Sequence, residues 1–415
     1  MRTKRIVTAL VGALGLLDGG ARAIAQTTPP CSDATLFPNP VYMTGSSAFA
    51  PTLARLALQT SAQTPPVTII YKTSASCDGA NAIVSQGPLT GNADYFAPNP
   101  AISETSPLPY VIKKCNLDTD TPKALIGVSD VAFQTCNGTA PPATIGEFTG
   151  PVQAMVFVVP AANKTTTAIS AEQAAAIYGC GQTSGVATFT DETAIQQRSA
   201  TSGTQRMIAS YIGVDPAAWK GKNNSGSGDM VNSLLAVSDP MKAIGILALD
   251  YYATPPNPTK LNLLAFRGFL QSKAYYPSSV PGALDMINVR DGHYVIQAPM
   301  HLWAAVNQNG SVVRPLARKM IDWMQGNPVA PEDELPFDIN EVYAKAGVVP
   351  KCAMKVMRKT DGGPFFPYVP DKPPCGCFYE SKATGIAVPS GCVPCKDAKD
   401  CRGQQVCSFG FCEGP

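Results

Sequence analysis

Short apolar runs alternate along this chain with stretches of helical periodicity. Val67–Tyr71 reads Val-Thr-Ile-Ile-Tyr, a β-branched run that predicts a strand. Ala124–Val128, Val152–Val159 and Ile244–Leu249 predict further strands, and Pro160 closes the second of these. Helix signals lie between them. Ser170 and Gln173 make a capping-box pair ahead of Ala-Ala-Ala-Ile-Tyr, each side chain suited to an amide at the other's end of the first turn. Leu316, Met320, Ile321 and Met324 share one helical face. This alternation predicts an α/β class, and no internal repeat interrupts it.

The amino end has a different character. Met-Arg-Thr-Lys-Arg precedes an apolar run, Ile6–Leu17, and Ala-x-Ala follows at Ala21–Ala23 and Ala23–Ala25. That order reads as a secretory signal peptide, cleaved after Ala25. A bilayer needs roughly 20 apolar residues, more than this run supplies, and no later segment reads as a transmembrane helix. Cys31 does not directly follow the expected cleavage site, so no lipid anchor is expected. A net charge of +2 with no clustered basic patch argues against a nucleic-acid partner.

Thirteen cysteines in an exported chain point to disulfides. Cys31, Cys77, Cys115, Cys136 and Cys180 lie in the body, an odd set. Cys352, Cys375, Cys377, Cys392, Cys395, Cys401, Cys407 and Cys412 form an even set able to close on itself. From Lys351 onward the chain is rich in Pro, Gly and Cys with little apolar periodicity, so disulfides are expected to hold this tail. Zinc at Cys392-x-x-Cys395 is the weaker reading, since the tail has no histidine.

Three segments place hydroxyl residues and glycine just before a helical pattern: Thr44–Phe49, Ser74–Gly79 and Ser199–Thr204. The first turn of a helix leaves backbone N–H groups without partners, and the aligned peptide dipoles add partial positive charge there. Such ends suit an oxyanion. Any one of them alone is an ordinary N-cap. Arg198, four residues before Ser202, adds a planar fork that fits two oxygens at once. Asp130 follows a strand in Gly127-Val128-Ser129-Asp130. A carboxylate only accepts hydrogen bonds, so it favours an oxyanion that carries a proton over one that does not.

These residues resemble the phosphate-binding proteins of ABC import systems, which have the class II periplasmic-binding-protein fold. Arg198–Thr204 is similar to that family's Arg-Ser-x-x-Ser-Gly-Thr, Gly45–Phe49 to its first phosphate loop, and Tyr71–Ile83 to its second. Gly127–Asp130 resembles its Gly-Ala-Ser-Asp, and Gly221–Tyr251 the stretch ending in its Ile-Gly-Tyr strand. The resemblance covers roughly Val41–Gln325. It implies a two-lobed α/β fold crossed twice by the chain. The lobes would be residues 26–151 with 294–350, a discontinuous first lobe, and 152–293, followed by a tail at 351–415 and preceded by the signal peptide at 1–25. It implies phosphate donors from Ser47, Ala48, Phe49 and Ser76, with Asp130, on one lobe, and Arg198, Ser202, Gly203 and Thr204 on the other. Ala200-Thr201 stands where the family has Asp-Gly, the aspartate that holds the arginine, and Asp78 stands where glycine is common.

The expected protein is therefore a periplasmic or secreted monomer that captures phosphate or a similar oxyanion, with an ABC permease as partner and no cofactor or metal. An enzyme would need a nucleophile and a base. His293 and His301 have no metal-ligand spacing around them, and no Gly-x-Ser-x-Gly occurs. A second expectation is a surface-attached protein that uses the Cys-rich tail for recognition, its body serving as scaffold or sensor.

Overall fold

The computed structural model describes residues 28–102 and 108–414; the expected signal peptide lies outside them. A nine-stranded sheet runs through the molecule. Its first half contains β1 (Pro40–Ser46), β2 (Thr68–Ser74), β3 (Asn92–Pro98), β4 (Tyr110–Asn116) and β5 (Ile126–Ser129). β1 lies between β2 and β5, parallel to both, and β3 and β4 extend the edge antiparallel. Helices α1 (Ala50–Ser61), α2 (Ser76–Ser85) and α3 (Phe133–Asn137) follow β1, β2 and β5.

One long strand, β6 (Ile145–Pro160), then leaves this half for the other. Every residue from Val152 to Val159 is buried, which is why that stretch reads as a continuous apolar run rather than an alternating one. The second half adds β7 (Ala168–Ser170), β8 (Gln196–Arg198), β9 (Lys222–Asn224), β10 (Gly245–Ala248), β11 (Leu261–Leu263) and β12 (Ala265–Arg267). Its helices include α4 (Ala171–Cys180), α5 (Gly203–Ile212), α6 (Ser227–Leu235) and α7 (Leu249–Ala253). Ser170 and Gln173 form the expected capping box at the start of α4. Strand β13 (Gln297–Ala305) returns beside β6, antiparallel, with an irregularity between Pro299 and His301. The core divides at that point. Tyr294, Ile296 and Ala298 pack with the second half, whereas Met300, Leu302 and Ala304 pack with the first. The result is an α/β molecule of two lobes joined through β6 and β13. Helix Pro315–Gln325 completes the first lobe, burying Met320, Ile321 and Met324 as its periodicity predicts. Among the described residues no helix is long and apolar enough to cross a membrane.

Six disulfides form. Cys31–Cys115 and Cys77–Cys136 lie in the first lobe. Cys352–Cys375, Cys377–Cys392, Cys395–Cys407 and Cys401–Cys412 close the even set on itself. Cys180 is left free and exposed. Disulfides alone do not hold the tail, a correction to the sequence reading. Ala353, Met354, Cys375 and Tyr379 are buried in the second lobe's core, and Tyr379 Oη donates to the Leu284 carbonyl at 3.0 Å. Four scattered apolar residues carry no periodicity, so this packing left no pattern to read. The tail also forms a hairpin of β14 (Val356–Met357) and β15 (Phe366–Pro367).

Asp250, at the start of α7, ties the lobes together. It accepts from Thr52 Oγ1 of α1 at 2.9 Å and from Gln153 Nε2 of β6 at 2.8 Å. Burial pushes its carboxyl up to about 7 despite those donors. The folded protein therefore holds this proton more tightly than the unfolded chain, and the group's contribution to stability falls as pH rises from about 4 to about 7. Urea unfolding across that range should show wild type losing stability relative to Asp250→Asn. A constant difference between the two would mean that the donors keep the carboxylate ordinary.

Candidate functional site

The end of β1 is shaped by Gly45. A Cβ there would lie 1.9 Å from the Val128 carbonyl oxygen of β5, and its φ of +136° is a conformation that glycine favours. The glycine thus serves close strand packing. Past it, Ser47 N donates to the Ser74 carbonyl (3.3 Å) and Ala48 N to Ser46 Oγ (3.1 Å). Phe49 is the N-cap of α1, with its ring wholly buried in the first lobe's core. Only its backbone can serve a ligand.

Ser76 opens α2. Its hydroxyl donates to Asp130 Oδ2 at 3.2 Å and accepts from Asp130 N at 3.3 Å. Asp78 turns back to accept from Ala75 N at 3.2 Å, so its carboxylate is engaged in capping its own helix. Asp130 is buried, and burial raises its pKa against the lowering effect of the Ser46 and Ser76 hydroxyls, Arg198 and His301. Its Oδ1 has no hydrogen-bond partner among the described residues.

The second lobe meets these groups directly. Ser202 is the N-cap of α5, and its side chain makes no capping bond to that helix. A Cβ on Gly203 would lie 2.3 Å from Ser76 Oγ and 2.8 Å from Asp130 Oδ2. Thr204 is buried, and its Oγ1 has no partner among the described residues. Cys77 N donates to the Thr201 carbonyl at 3.2 Å across the same seam. Buried unpartnered polar atoms are uncommon in folded proteins and call for an explanation.

Arg198 ends β8, 2% exposed, and reaches both lobes. Its Nη2 donates to Ser47 Oγ and to the Ser225 carbonyl, both at 3.2 Å. Nη1 donates to Ser227 Oγ at 2.9 Å, and Nε to the Asn224 carbonyl at 3.3 Å. Burial lowers its pKa to about 10, partly offset by Asp130, Tyr251 and Asp229, so it stays charged at neutral pH. All four acceptors are neutral. Three of them lie on Asn224, Ser225 and Ser227, so the turn from β9 into α6 orients the arginine, where Ala200-Thr201 offers no carboxylate. Parallel pairing of β8 with β9 sets Arg198 opposite Asn224 and makes this possible. Gln205 assists, its Oε1 accepting from Arg198 N at 2.8 Å.

Sequence reasoning passed over Asn224, Ser225, Ser227 and Gln205. A signal was present. Ser225-Gly226-Ser227-Gly228 ahead of Met230, Val231 and Leu234 repeats the hydroxyl-and-glycine design of the other three helix starts. The histidines are held by carboxylates outside the nine predicted residues. His301 Nδ1 is 2.7 Å from Glu147 Oε1, and His293 Nδ1 is 2.8 Å from Asp291 Oδ1. Two cavities, of about 680 and 350 Å³, lie elsewhere, and none of the nine predicted site residues lines either. Ser47, Ser76, Asp130, Arg198 and Gly203 instead meet at a tight seam between the lobes, where protein groups bond to one another.

No protein-family profile and no curated protein sequence matches this chain. Similar chain paths occur among solved structures. One is a putative phosphate ABC transporter substrate-binding protein from Clostridium perfringens, with TM-score 0.49, 13% identity and coverage of 75% of this chain and 99% of that one. Another is an ABC-type phosphate transport receptor from Vibrio cholerae, at 0.45, 14%, 74% and 99%. A third is the reduced OxyR regulatory domain of Pseudomonas aeruginosa, at 0.36, 8%, 68% and 95%. At these values the likeness bears on neither ligand nor reaction.

Proposed function

We propose that this chain is an exported solute-binding protein that closes two lobes on phosphate or a closely related oxyanion and releases it unchanged. The observation that carries the reading is the seam itself. A buried arginine whose acceptors are all neutral lies within electrostatic reach of the buried Asp130, and Asp130 Oδ1 and Thr204 Oγ1 have no partner among the described residues. Arginine and the threonine hydroxyl supply donors to an oxyanion. Asp130 supplies an acceptor for the one proton that hydrogen phosphate carries and sulfate lacks. The bond Arg198 makes to Ser47 across the seam is one a ligand oxygen would replace, so admitting a ligand requires the lobes to part.

On this reading Ser47, Ala48, Phe49, Ser76 and Asp130 serve from the first lobe, and Arg198, Ser202, Gly203 and Thr204 from the second. A permease of the ABC type is the partner such a protein would deliver to, from a periplasm. Calorimetry on protein refolded free of bound anion tests the proposal. Phosphate and arsenate should bind, and sulfate should bind far more weakly at pH 7. Equal affinity for sulfate would remove the role given to Asp130, and no heat with any of the three would end the reading. Ser227→Ala removes one neutral anchor of the guanidinium. It should weaken phosphate binding by about three- to tenfold, the worth of roughly one net hydrogen bond.

A further inference from the structure

The tail hairpin of β14 and β15 is rooted in the second lobe. Lys355 N donates to the Arg290 carbonyl at 2.9 Å, and Arg290 Nε to the Ala353 carbonyl at 3.1 Å. Gly292 packs against Val356 and Phe365, and Gly362 at the hairpin tip sits on Ser210 of α5. Arg358 lies between aromatic rings, 3.6 Å from the Phe365 centroid and 4.8 Å from that of Tyr211 in α5. Its Nη1 donates to the carbonyls of Val295 and Gln297, just before and at the start of β13, at 2.7 and 3.0 Å.

From this footing one carboxylate reaches the other lobe. Asp361 Oδ2 accepts from Ala132 N at 2.7 Å and from Thr135 Oγ1 at 2.6 Å, so it caps the start of α3. Its Oδ1 lies 3.9 Å from His301 Nε2. Arg206 of α5 grips the same short helix, its Nη1 donating to the Thr135 carbonyl at 2.6 Å. Helix α3 is in turn bonded through Cys136–Cys77 to the residue after Ser76. The hairpin is thus connected, through one helix and one disulfide, to a residue of the proposed phosphate loop.

We propose that the hairpin Val356–Pro367 is a clasp: seated on the second lobe, it holds α3 of the first through Asp361 and biases the cleft shut. Asp361 is then a positioning residue. Its two hydrogen bonds must break, or α3 must move with the hairpin, whenever the lobes separate. Charge-assisted bonds to a buried carboxylate are among the stronger single contacts, so the clasp slows opening more than it alters the ligand's own contacts. The effect on release rests on the phosphate reading; the effect on lobe separation does not.

The test uses the full mature chain with dyes on the free Cys180, in the second lobe, and on an introduced Lys113→Cys at an exposed position in the first. Energy transfer reports lobe separation without phosphate, and stopped flow reports phosphate release. Asp361→Ala, and independently Thr135→Val, should lower and broaden the transfer efficiency of the anion-free protein. Each should also speed phosphate release, by on the order of tenfold for Asp361→Ala. Wild-type transfer efficiency in both folded variants would overturn the clasp. Altered transfer in a protein that binds no phosphate would uphold the clasp and discard the phosphate reading.

Discussion

Gly203→Ala should weaken phosphate binding by about 10- to 100-fold while both lobes stay folded. The added methyl falls 2.3 Å from Ser76 Oγ and 2.8 Å from Asp130 Cβ, far inside contact distance. Neither neighbour yields easily, because Ser76 and Asp130 are buried and bonded to each other twice. Gly203 is the first residue of α5, where alanine is a good helix former, so the second lobe loses nothing locally. Strain of this kind is relieved by moving the lobes apart. The variant should therefore bind poorly and also show a larger radius of gyration by X-ray scattering. Wild-type affinity together with wild-type dimensions would mean that the seam relaxes without opening.

Arg198→Ala should cost a comparable amount, about 10- to 150-fold, the worth of an arginine bond to a charged oxygen. Two consequences separate it from a loss of mere packing. Arg198→Lys keeps the charge but lacks the fork that reaches Ser47, Ser227 and Ser225 together, so it should fall between wild type and alanine. The affinity of wild type should also fall with added salt more steeply than that of the alanine variant. Calorimetry at two ionic strengths measures both. Unchanged phosphate affinity in Arg198→Ala would show that the guanidinium stays with its protein acceptors when the ligand binds.

The α/β alternation was legible because buried strands such as Val152–Val159 are apolar throughout and helices such as Pro315–Gln325 show their period. The helix starts at Ser47 and Ser76 were legible as a shared local design, hydroxyl and glycine before a helix; that they would meet Asp130 and Arg198 was what the family resemblance implied. What held Arg198 was not legible. Two of its four acceptors are backbone carbonyls, of Asn224 and Ser225, which any residue could supply, and strand pairing across 26 positions brings them near. The clasp was hidden for a related reason. Asp361 sits in a Gly- and Pro-rich stretch without periodicity, 229 positions from the amide it caps, and nothing in its neighbours announces a distant partner.

The lone thiol of Cys180 sets the geometry of any oxidative adduct. The other twelve cysteines are already joined in pairs, so a covalent dimer formed in air would link two copies at this single point, at the end of α4. Such a dimer would run as one discrete band on a non-reducing gel and vanish in Cys180→Ser, with the interlobe seam of each copy left untouched.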